Sequence, residues 1–204
     1  GERLDVIVAP KGKAGTPLAL RAMLYNRGYG SVEYRAVEEV LTIEFTKEAP
    51  ITAKPVTVSR TIEPLSPEGA TPVDIVLTLP PMQNNKSEFR VNGLPFWKAK
   101  PYLAKLGEKQ LWIVKNESDW DHPFHLHGFF FQVVDEKGQP VRPLVWKDTV
   151  NVPMKTTVRL LVTFDERPGE WMFHCHILDH AEGGLMATVQ LTRPGEAIAA
   201  EHKH

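Results

Sequence analysis

The chain has 204 residues, 42% hydrophobic and 24% charged, proportions that exclude a disordered polymer and exceed one domain of roughly 150 residues. Its 24 Lys and Arg offset 25 Asp and Glu, so a net charge of -1 offers no basic stripe to a phosphate backbone and excludes nucleic acid as a partner. No apolar run reaches the ~18 residues of a membrane span.

From the N-terminus, Gly1-Glu2-Arg3-Leu4-Asp5 lacks the basic and apolar regions of a signal peptide, which predicts a cytoplasmic protein or a processed or truncated chain. Short alternating or β-branched runs bounded by Gly, Pro and Asn then recur along the sequence. They predict strands at residues 4–8, 18–25, 37–45, 74–79, 88–91, 110–116, 129–135, 149–152, 157–164, 169–174 and 184–191, with Asn92-Gly93 as a tight hairpin turn. No long segment has a helical period, so the fold class is all-β.

Pro50, Pro55, Pro64, Pro67 and Pro72 mark residues 50–72 as a linker. Downstream, residues 73–192 hold roughly eight strands, enough for a complete β-sandwich or barrel. Upstream, residues 1–49 offer about three, too few to bury both faces of a sheet, so this part is expected to be an incomplete domain that needs strands from elsewhere. Residues 193–204 form a polar tail whose His202 and His204 are solvated.

Six of the eight histidines fall in two windows, residues 122–128 and 174–180, and the second window encloses the only cysteine, Cys175. A lone buried histidine is usually a satisfied core residue, but two clusters of three predict metal. Side chains alternate along a strand. His174 and His176 therefore face one way and Cys175 the other, so this segment bridges two sites. His125 and His127 share a face, while His122, ahead of Pro123, can turn elsewhere. One site takes His122, Cys175 and His180; the other takes His125, His127, His174 and His176. Two histidines and one cysteine are the blue-copper set. Structural zinc sites favour closely spaced ligand pairs and more cysteines, and a Cys175 nucleophile would not need four further imidazoles.

HPFHLHG at 122–128 and HCHILDHAEGGLM at 174–186 resemble the two C-terminal copper signatures of the multicopper oxidases, the laccase-like family. The resemblance implies a cupredoxin-like Greek-key sandwich. It implies that His122, Cys175 and His180 hold the type 1 copper, His125 the type 2 copper, and His127, His174 and His176 the type 3 pair. A copper-dependent oxidoreductase follows, taking electrons from a small-molecule or metal-ion reductant at the exposed edge of His180. Electrons pass through Cys175 to His174 and His176, where dioxygen is reduced to water. The catalytic residues so implied are His180, Cys175, His174 and His176. Asp179 or Glu182 would steer a cation or accept a proton, or stand simply solvated. The start of the chain, Gly1-Glu2-Arg3-Leu4-Asp5-Val6, resembles a late strand of the family's second cupredoxin domain, which makes residues 1–49 the C-terminal part of a domain-2-like unit and residues 73–192 a domain-3-like unit.

Three departures qualify the likeness. The axial neighbour of the type 1 copper, ten residues after the cysteine, is Leu185, with Met186 the less favoured alternative; a leucine donates nothing and predicts a high reduction potential. Ala181 stands where some bacterial relatives carry an acid. The four N-terminal histidines of the family's trinuclear cluster have no counterpart in these 204 residues. The type 2 and type 3 sites are therefore expected to be shared with the N-terminal half of the same enzyme or with an oligomer neighbour. The rival expectation is a type 1 electron-transfer cupredoxin without oxidase activity; copper nitrite reductase fits less well, since it needs only one of the imidazoles flanking Cys175. Copper chemistry and family place the protein in the periplasm or outside the cell. Five methionines without a Met-rich insert give no support for a dedicated cuprous-ion oxidase.

Overall fold

The computed structural model of the protein describes residues 2–4, 6–28, 37–49, 61–82, 87–165, 167–193 and 195–196. Extended backbone dominates because short runs of β-branched and aromatic residues alternate with polar ones. In chain order the strands are β1 (Leu18–Ala22), β2 (Glu38–Ile43), β3 (Thr71–Thr78), β4 (Arg90–Val91), β5 (Tyr102–Lys105), β6 (Lys109–Asn116), β7 (His122–Leu126), β8 (Phe131–Val134), β9 (Thr149–Val152), β10 (Thr157–Thr163), β11 (Gly169–Cys175) and β12 (Met186–Thr192). A 3-10 turn covers Phe96–Lys98, and one short helix, α1 (Leu178–Glu182), separates β11 from β12. The all-β expectation is met. The chain forms two compact units, Arg3–Thr61, and Ile62–His204 together with Gly1–Glu2.

In the first unit β1 and β2 pair antiparallel, Leu18 opposite Ile43 and Ala22 opposite Glu38. Two strands cannot enclose a core, and Leu18, Leu20, Val40 and Leu41 remain exposed. The strand expected at residues 4–8 does not form: Leu4 and Val6–Val8 lie outside any strand and are exposed. Alternating apolar side chains favour extension, but a strand also needs a partner backbone for its N–H and C=O groups, and among the described residues of this unit none lies alongside.

Among the described residues of the second unit, ten strands (β3–β12) stand where about eight were expected. They make two five-stranded sheets, ordered β4-β3-β6-β10-β8 and β5-β12-β11-β7-β9. Alternate residues of each sheet meet between them: Ile75, Leu77, Trp112, Val114, Leu160 and Val162 from the first, and Phe124, Leu126, Phe173, Ala187, Val189 and Leu191 from the second. Trp112 sits at the centre, its ring 5.0 Å from Phe173 and 6.0 Å from Phe124. Its indole N–H would be stranded there without the Gln110 side-chain oxygen, which accepts it at 2.8 Å.

Asn92-Gly93 forms the expected hairpin turn, with φ of 47° and 80° and Val91 and Leu94 exchanging hydrogen bonds of 2.9 and 3.1 Å. Two positive φ angles in sequence are what a two-residue hairpin of this hand requires, and Asn-Gly supplies them cheaply.

Two strands were not expected. β5 is only four residues long, and extends because it pairs parallel with β12 at a sheet edge. β7 carries Pro123, which breaks the usual strand pattern; the proline is accommodated next to the strand's first residue, and its carbonyl accepts the His176 N–H at 2.7 Å.

The expected linker lies outside the described residues from 50 to 60. Its later part is fastened to the sandwich: the buried Gln132 accepts the Leu65 N–H at 2.7 Å and donates to the Glu63 carbonyl at 2.8 Å. The first strand then begins at Thr71, parallel to β6, three residues earlier than the pattern indicated. The tail from 197 onward, with His202 and His204, lies outside the described residues.

Candidate metal centre

Strand alternation sorts the histidines. Along β7, His122, Phe124 and Leu126 are buried while His125 points to the opposite face, and along β11 Phe173 and Cys175 are buried while His174 is turned outward. Antiparallel pairing then sets Cys175 opposite Phe124 and His174 opposite His125. His180 arrives from α1, which reverses the chain after β11. The return is tight: Gly184 has φ of +112° and a Cβ there would come within 2.6 Å of the Phe89 carbonyl, so only glycine fits.

Inside the sandwich, Cys175 Sγ lies 3.6 Å from His122 Nδ1 and 3.6 Å from His180 Nδ1, and the two nitrogens are 3.1 Å apart. Relative exposures of 2%, 0% and 2% for Cys175, His122 and His180 put the trio out of reach of water. Burial pushes the Cys175 thiol up to about 12 and, as the largest influence, pushes His122 down to about 3. Without metal, Cys175 and His122 are thus neutral, and a divalent ion would displace the thiol proton. Two imidazole nitrogens and one sulfur converging in an enclosed pocket fit a copper ion in the blue-copper arrangement.

The expectation that the edge of His180 faces solvent is corrected. Phe89 stacks on His180 with centroids 4.4 Å apart and Trp120 lies 5.0 Å away. Phe89 and His180 are each only 2% exposed, and stacking the rings on the imidazole takes apolar surface out of water. Asp179 and Glu182 on the same helix are exposed.

On the opposite face, His125, His127 and His174 offer ligand atoms within 4.8 Å of one another. His127 Nε2 and His174 Nε2 are 2.9 Å apart. His125 Nδ1 donates to the Asp148 carbonyl at 2.9 Å and also contacts Thr149 Oγ1 at 2.9 Å, while His174 Nδ1 donates to the Cys175 carbonyl at 2.7 Å. In the neutral rings of His125 and His174 these carbonyl contacts hold the proton on Nδ1 and leave Nε2 as the donor, the usual outer support of a metal-binding histidine. Burial, the largest influence, lowers the pKa of His125 and of His127. His176 stands beside the trio rather than within it, exposed, with its ring 5.5 Å from His125 and 5.9 Å from His174. Gly128 closes the first motif at φ of +75°, where a Cβ would lie 2.4 Å from the Trp171 ring.

Leu185 is buried and its carbonyl accepts the Cys175 N–H at 3.1 Å, whereas Met186 lies opposite His174 on the outer face. Sequence reasoning missed Ser118, Asn116, Phe89, Trp120, Asp148 and Thr149. Of these only Ser118, four residues before His122, had a spacing that could have drawn notice.

The two-sheet fold with a buried His–Cys–His trio and a histidine cluster on the opposite face defines a copper-binding protein of cupredoxin-like architecture. A multicopper oxidase family profile matches residues 67–194, and the chain belongs to that family of copper oxidoreductases. It is 37% identical over 106 residues to a laccase of Haloferax volcanii, a match covering 50% of this chain and 18% of that protein. It is also 37% identical over 106 residues to copper resistance protein A of Escherichia coli, covering 52% of this chain and 17% of that protein. Among solved structures, the McoA multicopper oxidase of the hyperthermophile Aquifex aeolicus superposes with a TM-score of 0.73 at 26% identity, over 86% of this chain and 40% of that one. The multicopper oxidase of Campylobacter jejuni gives 0.62 at 26% identity, over 90% and 42%. The chain thus spans less than a fifth of the two curated relatives and about two fifths of the solved structures.

Proposed function

We propose that this chain is the C-terminal part of a laccase-like multicopper oxidase. In this reading His122, Cys175 and His180 hold the type 1 copper, His125 belongs to the type 2 site, and His127, His174 and His176 belong to the type 3 pair. Copper at these sites supplies one-electron oxidation of a reducing substrate and four-electron reduction of dioxygen to water. The observation that carries the reading is that Cys175 belongs to the inner trio while His174, one residue away, belongs to the outer one. A single stretch of covalent bonds then joins the two sites, and no through-space jump is needed. Phe89 and Trp120 keep water off His180, and the Asp148 carbonyl orients His125.

The outer trio offers three nitrogens and leaves His127 exposed. In this reading the N-terminal half of the enzyme, or an oligomer neighbour, supplies the remaining ligands. Residues 73–192 are then the complete domain and residues 1–49 the end of the preceding one, a division supported by the exposed apolar side chains of the β1–β2 ribbon. A periplasmic or secreted site of action fits the chemistry; among the described residues no helix is long and apolar enough to cross a membrane.

Copper analysis of the intact assembly with an oxygen electrode tests the proposal. About four coppers per assembled unit, with oxygen uptake driven by a phenol or aromatic amine, are expected. One copper per chain, a strong blue band and no oxygen uptake would instead establish an electron carrier.

A further inference from the structure

We propose that Ser118, held by Asn116, locks His122 into the tautomer whose proton sits on Nε2, and so aims a bare Nδ1 at Cys175 and His180. The inference rests on His122 being a ligand of the inner site and adds the residues that make it one. Neutral imidazole can carry its proton on either nitrogen, and the wrong choice would put an N–H into the donor triangle.

The assignment follows from counting hydrogens outward from the most constrained group. Asn116 is buried, and its Nδ2 lies 2.6 Å from the Trp120 carbonyl, 3.0 Å from that of Val152 and 3.2 Å from that of Pro153. Carbonyls only accept, so the amide NH2 must face them and Oδ1 must face the other way. There Oδ1 meets the Ser118 N–H at 2.9 Å and Ser118 Oγ at 2.8 Å. The Ser118 hydroxyl has one hydrogen. The oxygens around it, Asn116 Oδ1 and the Trp120 carbonyl at 3.1 Å, are both acceptors, so that hydrogen is committed to one of them. Towards His122 Nε2, 2.7 Å away, Ser118 can therefore only accept. Nε2 must bear the proton, and Nδ1 is left with a lone pair pointing at Cys175 Sγ, 3.6 Å away.

Relative exposures of 1%, 4% and 0% for Asn116, Ser118 and His122 mean that water does not offer an alternative partner. The Nε2–H···O bond also strengthens Nδ1 as a donor, the common effect of an outer partner on a metal-binding histidine. Asn116 ends β6, and its carbonyl partners Val152 and Pro153 lie at the end of β9, so the packing of two different sheets sets the protonation pattern of one ring. Ser118 and Asn116 are positioning residues: they act on the ion through His122.

The test uses 15N-histidine labelling of the full chain, first free of copper. Two-bond 1H–15N correlations should show His122 as the Nε2–H tautomer in the wild type, a mixture in Ser118→Ala, and the wild-type pattern again in Ser118→Thr. Copper titration of the same proteins should show affinity at the inner site falling about 10- to 100-fold in Ser118→Ala and recovering in Ser118→Thr. A wild-type His122 protonated on Nδ1 overturns the proposal, as does a Ser118→Ala variant with unchanged tautomer and copper affinity. Should Ser118→Ala fail to fold, the wild-type spectrum alone still decides. The Nε2–H tautomer in a wild type that takes up copper without a blue band would uphold the lock and overturn the type 1 assignment instead.

Discussion

His174 lies directly opposite His125 in the antiparallel pairing of β11 with β7. That one register choice places both rings on the outer face, and it forces their neighbours, Cys175 and Phe124, together on the inner one. A slip by a single residue would move Cys175 out of the core and separate it from His122 and His180, so the two metal groups stand or fall together.

Replacing Cys175 by Ser removes the sulfur while keeping nearly the same volume. The expected result is loss of the intense blue absorption, one copper fewer per chain and no substrate oxidation, in a protein whose circular dichroism is unchanged. The new hydroxyl, left without water in a buried site, should lower stability by about 1–3 kcal/mol. Retention of the blue band would remove Cys175 from the type 1 site.

Leu185 sits in the core beside Cys175, where it gives its carbonyl to the Cys175 N–H at 3.1 Å but has no donor in its side chain. Leu185→Met adds a weak thioether that stabilises the oxidised ion more than the reduced one, so the type 1 reduction potential should fall. Redox titration of the blue band checks this; an equal or higher potential would argue against an axial position for Leu185.

Gly128→Ala combines a positive φ of +75° with a Cβ placed 2.4 Å from Trp171, whose indole N–H is tied to the Arg167 carbonyl at 2.9 Å. Strain and overpacking together should cost about 3 kcal/mol. Urea unfolding of the copper-free protein measures it, and a change under about 0.5 kcal/mol, the usual range for an innocuous surface substitution, would mean that the turn is not constrained.

His122 is held down to about 3 in the folded, copper-free chain, chiefly by burial, against 6.5 as its ordinary value. Between those values the unfolded chain binds the extra proton and the folded one does not, so stability is lost as pH falls through this window. Lowering the pH from 7 to 5 should therefore destabilise the copper-free protein by about 2 kcal/mol through His122 alone, and His125 and His127 shift in the same direction. Urea midpoints across that range give the slope, which should flatten in His122→Gln; a flat profile in the wild type contradicts the burial of this ring as a neutral group.

Much of the site was legible in the chain because it depends on a period of two. His–Cys–His in one strand must divide between faces, and this is what the pairing of β11 with β7 realises. Asn92-Gly93 likewise announced its hairpin, since few other residue pairs adopt two positive φ angles without strain. Local pattern failed where strand formation depended on a distant backbone: it missed β5, which extends only against β12, and it placed a strand where Leu4 and Val6–Val8 have no strand partner among the described residues of their unit.

By itself, then, the sequence determined which atoms could meet a metal, because residue type and alternation are local properties. The tertiary structure alone decided that Phe89 and Trp120 shut His180 away from solvent, that His176 stands apart from the outer trio, and that Asn116 and Ser118 choose the proton position on His122. Those outcomes depend on side chains from strands and loops far apart in the chain converging within hydrogen-bonding or stacking distance. No spacing along the sequence encodes such convergence, and only the packing of the two sheets supplies it.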